Sequence, residues 1–272
     1  MSYQLDDLLY LMQRLRDPQH GCPWDLKQTF ASIAPHTLEE AYEVADAIEQ
    51  GDYTQLVGEV GDLLFQVVYY AQLGSEAGYF GWDDVVEGIT RKLVRRHPHV
   101  FPDGNLRTPP GTLQLDEQQI KERWEQIKAE ERAERAEAPE QLSLLDDVPQ
   151  ALPALSRAQK LQKRAANNGF DWDGVAPVID KVVEELDEVR EAIGRREQQA
   201  IDEEVGDLLF ATVNLARHLS VDAETALRGG NAKFERRLRY IEQKLREQDK
   251  VFSQTELAEL DDLWDEAKHQ GL

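Results

Sequence analysis

Apolar residues recur every three or four positions through most of this chain, which is the spacing of amphipathic α-helices. In the first part of the chain this pattern runs through residues 5–15, 38–48 and 60–67. Later in the chain it predicts helices over residues 174–194, 197–219, 222–247 and 255–269. We find no convincing alternation of apolar and polar residues of the kind that predicts a β-strand. The pattern therefore predicts an all-α fold.

Glycine and proline residues mark the points where these helices are expected to end. Gly51 and Asp52 separate two helices, residues 74–81 end the second of them, and Pro98 ends a basic helix. Residues 101–111, FPDGNLRTPPG, are rich in proline and glycine and predict a loop. The short break at Gly51 predicts that the helices on either side of it form an antiparallel pair.

A highly charged segment, LDEQQIKERWEQIKAEERAERAEA, follows this loop and predicts a helical connector between two domains. Several prolines then break the chain before the helical pattern resumes. We expect an N-terminal helical-bundle domain over residues 1–100, the loop and connector over 101–150, and a C-terminal helical-bundle domain over 151–272.

The phrase EVGDLLF occurs twice, at residues 59–65 and again at residues 204–210. A second acidic phrase lies upstream of each copy, LEEAYEVADAI in the first half and VEELDEVREAI in the second. Each half therefore reads EExxE followed at the same interval by ExxD. An internal repeat of this kind predicts two related helical units.

The repeated acids have the spacing of a metal site. Residues three apart share a helix face, so an antiparallel pair of these helices would bring four carboxylates together. Like charges that converge either repel or force protonation, and a divalent cation resolves this conflict. Oxygen ligands favour a hard cation, Mg²⁺ or Mn²⁺, over zinc. The acids are Glu40, Glu43, Glu59 and Asp62 in the first half and Glu185, Glu188, Glu204 and Asp207 in the second.

One alternative interpretation of these acids stays open. Acidic residues on a helix usually form a solvated face, and a single EExxE phrase would be explained in that way. A di-iron carboxylate bundle would need Glu-x-x-His on two helices. Only Glu266 and His269 have that spacing, so we set this second metal hypothesis aside.

A basic helix follows each ExxD phrase. Lys92 and Arg96 lie four residues apart, as do Lys233 and Arg237, so each pair projects from one helix face. Cations beside a metal-binding cluster are what a polyphosphate site requires. The alternative is that these side chains pair with nearby glutamates or stabilise a helix C-terminus.

Composition narrows the classes of partner. The 272-residue chain has a formal net charge of −22 and a sequence pI near 4.6, and an acidic surface repels the nucleic-acid backbone. We therefore expect no nucleic-acid partner. A single cysteine, Cys22, excludes an internal disulfide. Together with acidic N-terminal residues and the lack of a membrane-length apolar run, it predicts a soluble cytoplasmic protein.

The paired phrases, with CPWDLKQT before the first copy, GFDWD before the second and the connector WEQIKAEER, resemble the tandem-domain MazG nucleoside triphosphate pyrophosphohydrolases. ExxE and ExxD at this interval are similar to those of the all-α NTP pyrophosphatase superfamily, which includes dimeric dUTPases. The resemblance implies a Mg²⁺-dependent homodimeric enzyme that hydrolyses NTP to NMP and diphosphate, with broad base tolerance and a house-cleaning role. The alternatives are a nucleotide-restricted, dUTPase-like pyrophosphatase and a non-catalytic metal- or nucleotide-binding scaffold.

The resemblance also implies roles for single residues, mainly in the second half. The four acids of that half would be metal ligands, and Glu184 or Glu203 would support them or activate the water. These six acids form the predicted catalytic set. The implied substrate contacts are Lys233, Arg237, Trp264 and Lys128 of the connector. For Trp264, packing on an amphipathic helix is an equally good interpretation.

Differences next to the two phrases predict unequal sites. Glu203 precedes the second ExxD where the first copy has Gly58, and Asn214 stands where the first copy has Tyr69. An amide can bind a phosphate or sugar oxygen, whereas a tyrosine at this position would fill core. We therefore predict that the second half carries most of the turnover, and that the acids of the first half form a weaker metal site.

Overall fold

The computed structural model describes residues 2–107, 109, 116–135, 143–146 and 148–272. Over these residues the protein consists of helices and turns without a β-strand, so the predicted all-α fold is confirmed. The chain divides into two compact units, Met1–Arg135 and Ala136–Leu272. None of the described helices has the length and apolar composition needed to cross a membrane.

Within its described residues, the first unit contains five α-helices and a short 3-10 turn at Asp25–Lys27. The helices are α1 (Leu5–Leu15), α2 (Phe30–Gln50), α3 (Tyr53–Ala77), α4 (Trp82–Arg96) and α5 (Glu117–Arg135). The charged segment predicted as a connector helix is α5, and it packs within this unit. Arg95 of α4 donates two hydrogen bonds of 2.8 Å to Glu134 of α5.

In the part of the second unit that the structure describes there are five further α-helices and a 3-10 turn at Phe252–Gln254. The helices are α6 (Ala154–Ala166), α7 (Val175–Arg195), α8 (Gln198–His218), α9 (Ala223–Glu247) and α10 (Leu257–His269). Periodicity predicted the last four of these, and their ends lie within two residues of the expected positions.

Each unit is organised around a long helical hairpin, α2 with α3 and α7 with α8. Gly51 ends α2 with φ at +69°, a left-handed conformation that glycine adopts without strain. Asp52 then caps α3 by accepting hydrogen bonds of 3.0 Å from the backbone N–H groups of Thr54 and Gln55. Arg196, with φ at +57°, makes the turn between α7 and α8. These tight turns place the two acidic phrases of each unit side by side.

Buried apolar side chains hold the helices of each unit together. The core of the first unit joins α1, α2 and α3 through Met12, Ile33, Val68, Tyr69 and Leu73. A core of the second unit joins α9 and α10 through Ile241, Leu245 and Leu263. Fully burying such a side chain stabilises the fold by roughly 1.5–3 kcal/mol.

The predicted break at residues 74–81 starts too early. Gly74 is a buried residue inside α3, and the helix ends at Ala77 before the left-handed Gly78. A Cβ atom at Gly74 would lie 2.7 Å from Phe80, so the glycine is required for close packing.

Candidate active site

Three carboxylates meet where α7 and α8 lie side by side. Glu185 and Glu188 come from α7 and Glu204 comes from α8, and one carboxylate oxygen of each lies within 4.8 Å of the others. Glu185 is 6% exposed, while Glu188 and Glu204 are partly exposed. This cluster is therefore anchored in the unit on one side and open to solvent on the other.

The first unit repeats this arrangement on its own hairpin. Glu40 and Glu43 of α2 and Glu59 of α3 bring carboxylate oxygens within 4.8 Å of one another. Glu43 is exposed, and the other two are partly exposed, so none of the three is as buried as Glu185. Three of the four predicted ligands thus lie together in each copy.

The electrostatics of both clusters fit a bound cation. Desolvation, and then the hydrogen bond and charge of Glu185, raise the pKa of Glu188. Desolvation and the charges of Glu59 and Glu40 raise the pKa of Glu43 in the same way. The ionised acids therefore repel one another, and their ligand atoms are all carboxylate oxygens. This donor set suits Mg²⁺ or Mn²⁺.

The fourth predicted ligand of each copy lies apart from the other three. Asp62 and Asp207 fall outside the groups of oxygens within 4.8 Å, although Asp207 borders the same cavity as Glu185. Glu203, which was predicted to support the second site, is exposed and accepts a hydrogen bond of 3.2 Å from Gln199.

The sequence prediction missed Lys181, which lies one turn before these acids on α7. Its Nζ is 2.6 Å from Glu184 Oε1 and 2.7 Å from Glu185 Oε1. These hydrogen bonds raise the pKa of Lys181 above its usual range. A lysine three and four residues before two glutamates is a helical ion-pair signal that could have identified it. Lys181 is thus a counter-cation supplied by the protein itself.

A cavity of about 400 Å³ opens beside the cluster of the second unit. Glu185 and Asp207 border this cavity together with the amide side chains of Gln162 and Asn214. Both amides are buried, with 7% and 4% of their surface exposed. Small-molecule sites typically have about 300–1,000 Å³, so the cavity is large enough for an organic ligand.

In the first unit a tyrosine occupies the position that corresponds to Asn214. Tyr69 is 1% exposed, and its hydroxyl lies 3.0 Å from both the backbone oxygen and Oδ1 of Asp25. The guanidinium of Arg16 lies 5.6 Å from the centre of its ring. Burial raises the pKa of Tyr69 to about 12. Tyr69 thus fills the core of the first unit, as the sequence predicted.

Asp171 of the GFDWD phrase anchors the loop before α7. It accepts hydrogen bonds of 2.9 and 2.5 Å from Arg217, and it lies 2.9 Å from His218 Nε2. Mainly because of Arg217, the pKa of Asp171 is about 2. Both partners are on α8, so no local spacing could have revealed this contact. The anchored loop places Phe170 and Trp172 at the cavity.

The predicted phosphate-binding cations of the second unit lie on α9. Lys233 is exposed. The Arg237 guanidinium lies 5.3 Å from the centre of the Trp264 ring, and its Nε donates to the Leu272 backbone oxygen at 2.7 Å. Trp264 also packs against the α9–α10 core. Among the described residues, no ion pair joins these two cations to the carboxylates of α7 and α8.

Of the corresponding cations of the first unit, Lys92 and Arg96, the arginine has a partner within that unit. Arg96 is paired with Glu131 of α5, which matches the alternative interpretation of this basic helix. Lys128 also lies on α5, where its Nζ is 2.8 Å from Glu125 Oε1. Its contact with substrate stays a prediction.

Two segments of the chain, residues 28–101 and 175–241, match one family model, the MazG nucleotide pyrophosphohydrolase domain. The chain belongs to this family. The matched segments contain the two acidic hairpins, so the resemblance inferred from the repeated phrases is confirmed. Membership of the family makes the protein an enzyme of the hydrolase class.

Named relatives are similar to this chain over most of its length. A nucleoside triphosphate pyrophosphohydrolase of Escherichia coli (strain K12) is 52% identical over 273 residues, which cover 99% of this chain and 98% of the relative. The nucleoside triphosphate pyrophosphohydrolase/pyrophosphatase MazG of Thermotoga maritima is 39% identical over 263 residues, with 97% and 95% covered. A nucleoside triphosphate pyrophosphohydrolase of Mycolicibacterium smegmatis is 34% identical over 223 residues, with 74% and 64% covered.

Proposed function

We propose that this protein hydrolyses nucleoside triphosphates to nucleoside monophosphates and diphosphate, with Mg²⁺ as its cofactor and Mn²⁺ as a substitute. The observation that carries the proposal is the pair of carboxylate clusters, one of which borders a ligand-sized cavity. The names of the E. coli and T. maritima relatives support the same substrate class.

The acids of the second hairpin would hold the cation. Glu185, Glu188 and Glu204 offer oxygens from two helices, and Asp207 completes the proposed set at the edge of the cavity. When bound, a divalent cation supplies charge neutralisation and Lewis-acid activation to phosphoryl chemistry. An accompanying cation also explains how a chain with net charge −22 attracts a polyanionic substrate.

Side chains around the cluster would bind the substrate and handle the proton. Glu184 and Glu203 are exposed carboxylates that flank the cluster, and either could accept a proton from the attacking water. The proposed contacts to phosphate, sugar or base are Lys233, Arg237, Asn214 and Trp264. Lys181 would no longer pair with Glu185 once a divalent cation is bound to that carboxylate.

The protein would act as a homodimer on a broad set of nucleotides in the cytoplasm, where it would remove non-canonical triphosphates. Support for the dimer comes from apolar side chains on the α7–α8 hairpin. Val183, Leu209 and Phe210 are 52%, 55% and 45% exposed, whereas Val213 of α8 is 2% exposed and belongs to the interior. A partner hairpin would remove the exposed side chains from water.

Product analysis with a panel of nucleoside triphosphates and Mg²⁺ tests the proposal. We expect diphosphate and the monophosphate from common and deaminated nucleotides alike. Release of orthophosphate and a nucleoside diphosphate would contradict the proposal. Turnover of a single nucleotide would instead support the restricted, dUTPase-like alternative. Glu188→Gln should abolish turnover and leave the circular dichroism spectrum unchanged.

A further inference from the structure

We propose that Arg217 is a positioning residue of the second unit, which fixes the side-chain amide of Asn214 so that its Nδ2 group is presented to the substrate as a hydrogen-bond donor. The inference rests on the proposed hydrolysis of nucleoside triphosphates and on the proposed contact of Asn214 with the substrate. It assigns a role to Arg217, which neither the repeated phrases nor the predicted contacts include.

The guanidinium of Arg217 joins two parts of the second unit. Its Nε donates to Asn214 Oδ1 at 2.9 Å, within α8. Its Nη1 and Nη2 donate to the two carboxylate oxygens of Asp171 at 2.9 and 2.5 Å. The Arg217 side chain is 16% exposed, so these bonds are largely shielded from water. A planar guanidinium with all three nitrogens engaged holds both partners in fixed directions.

The contact with Arg217 determines the orientation of the Asn214 amide. Arginine has hydrogen-bond donors only, so the amide atom that it contacts must be the oxygen. The other end, Nδ2, has no partner among the described residues, yet it is not sealed from solvent. Asn214 is 4% exposed and borders the cavity. An amide whose oxygen is used within the protein offers a ligand only its N–H donors, which suit a phosphate or sugar oxygen.

Anchoring the loop before the hairpin does not by itself require an arginine on α8. In the first unit the loop of the CPWD phrase is held from α1, because Arg16 donates to the backbone oxygens of Asp25 and Gln28. In the second unit Asp171 has a further partner on α8, since its Oδ1 lies 2.9 Å from His218 Nε2. The contact with the amide is therefore what the arginine on α8 adds.

The first unit lacks both members of this pair. Tyr69 stands at the position of Asn214 and Gln72 at the position of Arg217. Gln72 Nε2 donates to Glu76 at 2.8 Å and so takes part in a different contact. The arginine and the asparagine thus occur together in one copy of the repeat and are replaced together in the other.

Three substitutions of Arg217 in the full-length chain separate the amide contact from the loop contact. Arg217→Gln keeps an N–H donor at the position of Nε and loses the charge that pairs with Asp171. Arg217→Lys keeps the charge and has a methylene group at that position, and Arg217→Met keeps neither. With ATP and Mg²⁺, we expect Arg217→Lys and Arg217→Met to lower kcat/KM about tenfold, and Arg217→Gln to stay within about threefold of the wild type.

A guanidinium that only anchors the loop gives the opposite order, with Arg217→Lys close to the wild type and Arg217→Gln as low as Arg217→Met. That order, equal losses in the three variants, or no loss in any of them would overturn the positioning role. If Arg217→Met fails to fold, the comparison of Arg217→Gln with Arg217→Lys decides alone.

A double-mutant cycle tests whether Arg217 acts through the amide. Asn214→Ala should also lower kcat/KM about tenfold, and adding Arg217→Met to it should cause no further loss. A combined loss of about 100-fold would show that the two residues act independently, against the proposal. Arg190→Met is the matched control, because Arg190 pairs with Asp187 on α7 at 2.6 Å and both side chains are exposed. It should leave kcat/KM unchanged, and a loss equal to that of Arg217→Met would contradict the assignment.

Calorimetry with the α,β-methylene analogue of ATP and Mg²⁺ separates the two proposals. If the wild-type chain hydrolyses no triphosphate, the proposed function fails, and the order of affinities among the three Arg217 variants still decides the positioning role. If hydrolysis is found and the three variants lose activity equally, only the positioning role fails. A wild-type chain that neither hydrolyses ATP nor binds the analogue contradicts both.

Discussion

Replacing Lys181 by methionine tests whether this side chain is the internal counter-cation of the second cluster. In the wild type its Nζ contacts Glu184 at 2.6 Å and Glu185 at 2.7 Å. Methionine keeps an unbranched side chain of similar shape but removes the charge. Glu185 would then be a buried carboxylate that faces Glu188 and Glu204 without a cation.

The two exposed fractions set the expected size of the effect. Removing one member of a buried ion pair costs about 3–5 kcal/mol, and an exposed pair contributes about 0–1 kcal/mol. The Glu185 side chain is 7% exposed and the Lys181 side chain is 35% exposed, so this pair lies between the two cases. We expect Lys181→Met to lower the free energy of unfolding by about 2 kcal/mol and the midpoint of the second unit by roughly 6–10 °C.

Thermal and urea unfolding in the presence of a chelator, followed by circular dichroism, measures this loss. Lys268→Met is the matched control, because Lys268 forms a pair of 2.7 Å with Asp265 on α10 in which the side chains are 48% and 63% exposed. In that variant the free energy of unfolding should fall by less than about 1 kcal/mol. Mg²⁺ should then stabilise Lys181→Met more than the wild type, because the cation replaces the missing charge. A loss no larger than that of Lys268→Met, or equal stabilisation by Mg²⁺, would refute the reasoning.

Three further predictions follow from the same geometry. Asp207→Asn should reduce turnover about 100-fold and Asp62→Asn less, measured in the full-length chain with one substrate and one metal concentration; an equal or larger loss from Asp62→Asn would show that the sites are not ranked as predicted. Light scattering at micromolar concentration should give the mass of a dimer, and a monomer mass would contradict the proposed assembly. Asp171→Asn should lower the free energy of unfolding at pH 7 by about 1 kcal/mol, after allowance for solvent screening, since the folded state holds the pKa of Asp171 at about 2. Because ionised Asp171 stabilises the fold, the difference in the free energy of unfolding between wild type and variant should disappear as the pH falls from about 4 towards 2. Urea unfolding at several pH values measures this difference, and a difference that persists at low pH would contradict the prediction.

The helices could be predicted from sequence because local physics determines them. The hydrophobic periodicity predicted the ends of α7 to α10 to within two residues, and Gly51 with Asp52 predicted the turn of the first hairpin. Gly74 is an exception. From the sequence alone, a glycine that permits close packing cannot be distinguished from a glycine that ends a helix. Only the packing of Phe80 against α3 distinguishes the two roles.

The candidate site could be predicted only in part. The acids were found because a repeat preserves their spacing, and three of four come together in each copy. The cavity and the contact of Asp171 with Arg217 were missed, because they depend on side chains of α6, α8 and a loop that are far apart in the sequence. Lys181 was also missed, although its spacing of three and four residues from Glu184 and Glu185 is visible in the sequence.

The repeated phrase EVGDLLF has the same residues in both halves, so any difference between the two sites must come from the residues around it. His36 stands four residues before Glu40, as Lys181 stands before Glu185, and its Nδ1 lies 3.4 Å from Glu39. The first cluster thus has an imidazole at the position where the second cluster has the ammonium group of Lys181. Tyr69 fills the space that Asn214 leaves open. The phrase thus secures a helical hairpin with its acids in both halves, and a cavity beside those acids requires the neighbours that the second half has.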